Sequence, residues 1–251
     1  MLVEKLNIEK HTTVNEIVRK NHHTAEVFRK YNIEYCCGGK WPLEAVCLSN
    51  GIAFEQLKQE LQQAMRVAQL PANTAFETWD TDFLTKYIVN VYHQHIKRSL
   101  PVTGDIVQHF ADGHVKKFPE MQEVASLFHA FEKEILPHIQ YEEETIFPYI
   151  SQLSHAHQNN DSYAKLLVKT LRKRLDLIMK QEEDFLSTFI VKIRLLTNNY
   201  HIPVNACVSH RLALLRLNDL DNDLVQHIYL ENEILYPRAL KIEQELLEGS
   251  I

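Results

Sequence analysis

The chain has 251 residues, enough to bury a sizeable hydrophobic core in one domain or two. Six Gly and eight Pro are too few for the many turns of an all-β protein, and the Leu-, Glu-, Lys- and Gln-rich stretches favour helix. A net charge of −6 argues against a general nucleic-acid-binding protein, whereas fourteen His against four Cys point toward metal chemistry.

The cysteines and the hydropathy pattern indicate the compartment. The N-terminal segment MLVEKLNIEK is not a secretory signal, and no stretch has the ~18–20 apolar residues of a membrane helix. Cys36 and Cys37 are adjacent while Cys47 and Cys207 are scattered, so the sequence shows no disulfide framework. We therefore expect a cytoplasmic protein with neither a membrane nor a nucleic acid as a partner.

Residues 1–70 are predicted to form a small helical domain. Apolar residues at helical spacing follow the N-cap candidates near residue 13 and stop at the Cys-Cys-Gly-Gly segment at 36–39. Pro42 can open a second helix, and FEQLKQELQQAM predicts a third. The segment LPANTAFETWD is typical of a linker.

Residues 78–251 are predicted to form an up-down four-helix bundle, so the whole chain is expected to be all-α. The helical patterns run over about 79–100, 120–151, 163–198 and 207–246. Pro101 and Gly104 are expected to end the first helix, and Pro137 to kink the second.

An internal repeat in this part of the chain carries the functional signal. Residues 138–148 and 227–237 share the form H-I-x-x-E-x-E-x-(I/L)-(F/Y)-P. Positions i and i+4 lie on one face of a helix, so each copy aims an imidazole and a carboxylate at the same point. Both pairs, His138–Glu142 and His227–Glu231, continue an apolar stripe that faces the core.

The two motif copies together predict a metal centre. A single H-x-x-x-E is common and is usually a surface pair, but a buried carboxylate is costly and needs a partner. Two inward-facing pairs can satisfy one another by binding cations. Imidazole with carboxylate suits iron, zinc or manganese, and shared carboxylates suit a dinuclear site.

The same repeat predicts further ligands on the other two helices. Counting back 45 residues from the first motif histidine reaches His93, and counting back 44 from the second reaches Glu183. His95 and Glu182 lie on the neighbouring apolar stripes, so each remains an alternative. His114 is a further candidate in the predicted connection, where a solvated loop histidine is the better interpretation from sequence alone.

With these motifs in place, the chain resembles the RIC family, di-iron proteins for the repair of iron centres, over nearly its whole length. The most specific match in the N-terminal part is FRKYNIEYCCGGK at 28–40. The bundle matches in Tyr-His at 92–93, in both copies of the repeat, in P-x-x-A-C at 203–207 and in Pro-Arg-Ala at 237–239.

The resemblance implies a hemerythrin-like bundle that binds two iron ions in a non-haem di-iron centre. It implies that Glu142 and Glu231 bridge the irons. It also makes His114 a stronger candidate for a metal ligand, because His114 lies at the spacing of a family ligand. The expected metal ligands are His93, His114, His138, Glu142, Glu183, His227 and Glu231.

One position departs from the family pattern. The family carries Glu-His in the third helix, and this chain has Glu182-Glu183. Glu183 then either ligates iron as a carboxylate, stays unbound and leaves an open position, or weakens the site. A carboxylate ligand is harder and anionic, so it should favour the ferric state and oxidase-like or ferroxidase-like behaviour over reversible oxygen binding.

The resemblance also supplies the expected function. The protein would repair iron–sulfur clusters damaged by nitric oxide or oxidative stress by donating iron, with iron–sulfur proteins or a scaffold as clients. Cys36 and Cys37 offer two thiols at one turn and would act as the exit or docking point for iron. NO or O2 are the expected small ligands, and the resemblance is compatible with a homodimer while leaving the oligomeric state open.

Two other classes of function are carried as alternatives. A di-iron enzyme with an open position can reduce NO, nitrite or peroxide over many turnovers. A hemerythrin-like sensor would only bind O2 or NO, and the Cys-Cys-Gly-Gly segment argues against it because a plain carrier needs no thiol pair.

Overall fold

The structure is a computed structural model that describes residues 8–21, 24–33, 40–65 and 75–248. These ranges are helical, with no β-strand among them, which confirms the all-α prediction. None of their helices is long and apolar enough to span a bilayer. The described residues form a small group of N-terminal helices followed by a bundle of long ones.

Four short helices make up the N-terminal part. Thr13 starts the first with a capping box, in which its hydroxyl and the Glu16 carboxylate each accept from the other's backbone N–H. The chain turns extended at Asn21, so the single predicted run is two helices. The helices are α1 (Val14–Lys20), α2 (Thr24–Lys30), α3 (Leu43–Asn50) and α4 (Phe54–Ala64).

The bundle is built from four long helices and one short one. α5 and α9 pack side by side, α6 packs against α5, and α8 lies along both α6 and α9, which is an up-down four-helix arrangement. The elements are α5 (Thr81–Tyr87, Ile88–His93 and Gln94–Gly113), α6 (Glu120–Tyr141, Glu142–Ile146 and Phe147–Gln158), α7 (Ala164–Leu171), α8 (Leu175–Phe185, Leu186–Ile190 and Val191–Leu196) and α9 (Val208–Tyr229, Leu230–Leu235 and Tyr236–Glu248).

The predicted end of the first bundle helix at residue 100 is wrong. α5 continues through Pro101 and Gly104 to Gly113. A Cβ atom added to Gly104 would meet Cε1 of Phe128 at 3.3 Å, and that ring is buried. Gly104 therefore lets α5 and α6 approach closely rather than ending the helix.

The predicted third helix is divided in two. The chain leaves helical geometry at Arg172, with φ −46° and ψ 131°, so that α7 and α8 are separate. The Arg172 Nε then donates to Glu243 on α9 at 2.8 Å. The break lets α7 pack on the end of the bundle while α8 completes its four-helix core.

Each of the four long helices contains a π-helical segment at a similar level. The backbone N–H of Phe147 bonds the carbonyl of Glu142, and that of Tyr236 bonds Glu231, both five residues back. The next residue is Pro148 or Pro237, which has no N–H and whose ring crowds the carbonyl four residues before it. Widening the turn relieves that crowding, so the Phe/Tyr-Pro ending of the repeat favours a π segment.

Candidate metal centre

Four buried side chains from three helices converge in a first group. The Nε2 atoms of His93 and His227 are 3.0 Å apart, and His227 Nε2 lies 2.9 Å from Glu231 Oε1. His93 Nε2 is 3.6 Å from Glu142 Oε2. One ligand atom from each of the four residues lies within 4.8 Å of all the others. The arrangement offers two imidazoles and two carboxylates to one cation.

A second group lies beside the first and shares one residue with it. His138 Nε2 is 3.2 Å from Glu142 Oε1 and 3.6 Å from Glu182 Oε1. The three ligand atoms again lie within 4.8 Å of one another. Because Glu142 directs one oxygen to each group, its carboxylate is placed to bridge two cations.

Several polar atoms in these groups have no hydrogen-bond partner within the described part of the chain, which tests whether a metal fits. A buried polar atom without a partner costs roughly 1–3 kcal/mol, more when charged, so a fold rarely tolerates several in one place. A cation bound by the deprotonated ligands would satisfy these atoms together. The orphaned atoms on the ligand side of the two groups are His138 Nε2, Glu142 Oε2, both carboxylate oxygens of Glu182 and Glu231 Oε2.

The electrostatics of the site agree with that interpretation. Burial, and then the Glu142 charge, raise the pKa of Glu231 to about 8. Burial and the Glu231 charge likewise raise the pKa of Glu182. Burial opposes the charge on His138, but Glu142 and Glu182 outweigh it and raise the His138 pKa to about 10. Burial opposes the charge on Glu142 as well, but the bond to His138 and the neighbouring imidazoles outweigh it and lower the Glu142 pKa to about 2. Glu182, Glu231 and the His138 imidazole therefore hold protons that cations could replace, beside a charged Glu142.

Residues around the two groups form hydrogen bonds that orient the side chains within them. Glu143 Oε1 lies 3.0 Å from His93 Nδ1, and its other oxygen accepts from Lys97 Nζ at 2.6 Å. The hydroxyl of Tyr236 donates to Glu142 Oε1 at 2.6 Å. A carboxylate behind a histidine ligand fixes its tautomer and raises its basicity in metalloproteins generally.

One side of the centre is reached from outside. A cavity of about 750 Å³ lies between α6 and α8 and is lined by His138, Tyr141, Arg174 and Phe185 among others. His138 is 9% exposed, whereas the other histidines and carboxylates of the two groups are 0–1% exposed. The second group is therefore the accessible one.

The structure shows where one member of each pair of alternatives left open by the sequence lies. His93 is buried in the first group, while His95 is half exposed and its Nε2 lies 3.1 Å from Asp223. Glu182 lies in the second group. The side chain of Glu183 falls outside the described residues, so its ligand role stays a prediction.

His114 is not brought to either group. Since α5 does not end at Pro101, His114 follows His93 by a stretch of helix about 30 Å long. Its ring stacks on Phe110 and its Nε2 lies 3.9 Å from Cys207 Sγ. Cys36 and Cys37 lie outside the described residues.

Sequence reasoning missed three features of this centre. The Tyr236 hydroxyl was unassigned, although it occupies the aromatic position of the second motif copy. Glu143 lies within the first motif copy, but the repeat by itself assigns it no role. The signal for the π segments is Pro148 and Pro237, each directly after the aromatic residue of its motif copy.

Comparison with known families gives the context for this geometry. Residues 84–239 match the hemerythrin HHE cation binding domain. The chain belongs to the hemerythrin family. Its N-terminal residues 10–65 match the ScdA N-terminal domain, a domain of unknown function. The hemerythrin domain contains both cation groups, so the family description and the geometry refer to the same residues.

Relatives with both regions carry one printed function. The iron–sulfur cluster repair protein YtfE of Enterobacter sp. (strain 638) is 27% identical over 90% of this chain and 96% of its own length. The iron–sulfur cluster repair protein ScdA of Staphylococcus haemolyticus is 27% identical over 91% of this chain and 98% of its own. These similarities confirm the predicted resemblance to the family of iron-centre repair proteins.

Proposed function

We propose that this hemerythrin-family protein repairs damaged iron–sulfur clusters by holding two iron ions and donating iron to its clients. The observation that carries the proposal is the pair of cation groups that share Glu142, with orphaned ligand atoms on both sides. The likeness to cluster repair proteins over about nine-tenths of the chain supports the same role.

The ligands of the proposed centre divide into two sets that meet at Glu142. Iron bound there would supply a reversible ferrous–ferric couple and Lewis acidity. The proposed ligands include the five predicted residues that converge in the structure, His93, His138, Glu142, His227 and Glu231. Glu182, the second carboxylate of the accessible group, is added to them. Its neighbour Glu183 remains untested.

The accessible side of the centre suggests which iron leaves first. The second group has one imidazole, His138, against two in the first group, and the cavity reaches it. Fewer ligands and an open side both favour faster release. Iron in that group is thus the proposed cargo, and the paired thiols of Cys36 and Cys37 are the proposed docking point at the client.

The proposed role is tested by transfer of iron from the loaded protein to an iron–sulfur dehydratase whose cluster has lost one iron. We expect wild type to restore its activity faster than free ferrous ion at the same concentration. His138→Ala should bind less iron and restore activity slowly, and Cys36→Ala with Cys37→Ala should slow transfer without changing the iron content.

His155→Ala is the matched control for His138, because its exposed ring lies on the same helix and contacts Asp82 at 3.7 Å and Asn159 at 3.5 Å, away from the centre. Restoration by wild type no faster than by free ferrous ion would contradict iron donation. Equal rates in the double cysteine variant and wild type would remove the thiols from the mechanism.

One observation favours a second candidate function. The cavity beside His138 is far larger than a diatomic molecule and admits NO, nitrite or peroxide as readily as it releases iron. A reductase would consume many equivalents of NO for each centre when a reductant is supplied. Consumption that stops at one or two equivalents would instead identify NO as a ligand.

The compartment belongs to the same proposal. Cys47 and Cys207 are free thiols in the described structure. Reduced cysteines and iron–sulfur clients are both typical of the cytoplasm, where we place the protein.

A further inference from the structure

One of the buried positions at which the two copies of the repeat differ is the aromatic residue before the motif proline. Tyr236 in the second copy corresponds to Phe147 in the first, each directly before the motif proline. Both side chains are almost completely buried. The only chemical difference between them is one hydroxyl group, and it sits inside the candidate metal centre.

That hydroxyl gives Glu142 an anchor outside the ligand set. Tyr236 donates to Glu142 Oε1 at 2.6 Å, and the same carboxylate is the one shared by both cation groups. Hydrogen bonds to charged acceptors are among the strongest in proteins. The bond leaves Oε2 without a partner among the described residues, 3.6 Å from His93 Nε2.

Glu231 has no comparable anchor within the described part of the structure. Its Oε1 contacts His227 Nε2 at 2.9 Å, and its Oε2 has no hydrogen-bond partner there. His227 is a candidate ligand itself, so its Nε2 lone pair would face the cation once one is bound. Phe147, at the position of Tyr236, stacks on the ring of His93 with centroids 5.4 Å apart and offers no donor.

We infer that the two bridging candidates have different roles: Tyr236 holds Glu142 as a fixed bridge, and Glu231, the carboxylate of the other motif copy, is the one that reorients when iron enters or leaves. Tyr236 is thus a positioning residue that acts through Glu142. The inference rests on the proposed function, because it concerns how the same centre retains and releases its iron.

Exchanging the hydroxyl between the two positions tests the inference. Tyr236→Phe frees Glu142, Phe147→Tyr offers Glu231 a donor, and the double variant moves the anchor from one carboxylate to the other. Tyr149→Phe is the matched control, because Tyr149 donates to the buried carboxylate of Glu243 at the same 2.6 Å, away from the centre.

The readouts are the iron content, the optical spectrum of the loaded protein and the rate of iron loss to a ferrous chelator. Losing one charge-assisted bond should accelerate iron loss in Tyr236→Phe by about tenfold and alter its spectrum. Phe147→Tyr should slow iron loss, and the double variant should fall between the two. Tyr149→Phe should match wild type.

The outcomes separate this inference from the proposed function. If wild type binds two irons and Tyr236→Phe releases them at the wild-type rate with an unchanged spectrum, the inference fails and the proposed function stands. If wild type binds no iron, both fail. Circular dichroism reports whether Phe147→Tyr folds; if it does not, the comparison of Tyr236→Phe with Tyr149→Phe decides.

Discussion

The ring of His93 is held from behind by Glu143, whose Oε1 lies 3.0 Å from His93 Nδ1. A carboxylate can only accept, so Nδ1 carries the proton and the Nε2 lone pair faces the first cation group. Lys97 Nζ donates to the second oxygen of Glu143 at 2.6 Å and keeps the carboxylate in place. The tautomer of His93, a buried candidate ligand, is thus set by Glu143 and Lys97, which both reach the surface.

Replacing Glu143 by Ala should weaken metal binding without removing a ligand. The His93 ring would lose its orientation and its proton acceptor, and losses of about 10–100-fold in metal affinity are usual for such partners. Competitive titration with a chromophoric chelator measures the change. Glu144→Ala is the control, because its described contact is with exposed Gln140. Equal affinities for the two variants would exclude an orienting role for Glu143.

Glu182 and Glu183 can be separated by their effect on iron stoichiometry. Glu182 lies 3.6 Å from His138 in the second group, so Glu182→Ala should lower the iron content from two ions to one. If Glu183 also ligates iron, Glu183→Ala should lower the iron content and change the optical spectrum. Metal analysis of both variants decides, and an unchanged content and spectrum for Glu183→Ala would end its ligand role.

The stabilisation that metal gives should increase with pH. Glu231, with its pKa raised to about 8, and His138, raised to about 10, hold protons in the folded, metal-free protein that the unfolded chain has already lost. Where the folded state binds more protons, stability falls as pH rises. We therefore expect the metal-free protein to lose stability between pH 6 and 8. A cation replaces those protons, so the metal-loaded protein should lose less stability over the same pH range.

Thermal unfolding with and without manganese(II) at several pH values measures this effect. The rise in Tm on adding metal should be larger at pH 8 than at pH 6. In Glu231→Gln the metal-free protein should lose less stability over the same range, because the amide does not titrate. A metal-induced rise in Tm that is the same at both pH values would contradict the assignment.

The inward-facing residues of the repeat could be predicted because the metal-binding residue types have the spacing of a single helix face. His138 and Glu142 are four residues apart on an apolar stripe, as are His227 and Glu231, and helix geometry alone places each pair together. Predicting His93 also required the repeat, since His95 lies on a neighbouring apolar stripe of the same helix. In the structure His95 contacts Asp223 at the surface, so the helix is rotated to bury His93 rather than His95.

Other features depend on tertiary contacts that local patterns do not contain. Pro101 and Gly104 are helix breakers by propensity, yet the buried Phe128 ring packs where a Cβ of Gly104 would be and the helix continues. The distance of His114 from the centre follows from that continuation. Glu182 is inside because it continues the buried face of α8 that holds Leu175 and Ile178, while the Glu183 side chain lies outside the described residues.

An ion pair with one buried partner, away from the centre, should stabilise the bundle without affecting iron. Asp221 on α9 is buried, accepts from the guanidinium of Arg194, and accepts the Tyr200 hydroxyl at 2.7 Å. Asp221→Ala should lower the free energy of unfolding by about 2–4 kcal/mol, because both donors lose their acceptor. Denaturant unfolding measures this.

The exposed pair of Asp176 with Arg174 provides the control for Asp221. Asp176→Ala should change stability little, since ion pairs in water contribute weakly. Both variants should keep the wild-type iron content, and a loss of iron in Asp221→Ala would mean that the pair also positions the centre.

The two helical glycines of α5 should respond in opposite ways to one added methyl group. A Cβ at Gly113 meets nothing within 4 Å, so Gly113→Ala should stabilise the protein by up to about 1 kcal/mol through helix propensity. At Gly104 the methyl group would lie 3.3 Å from the buried Phe128 ring, and overpacking should offset that gain or exceed it. Denaturant unfolding of the two variants should show Gly104→Ala to be the less stable by 1 kcal/mol or more. Equal stabilities would mean that Phe128 can move away, and that the α5–α6 contact does not require a glycine.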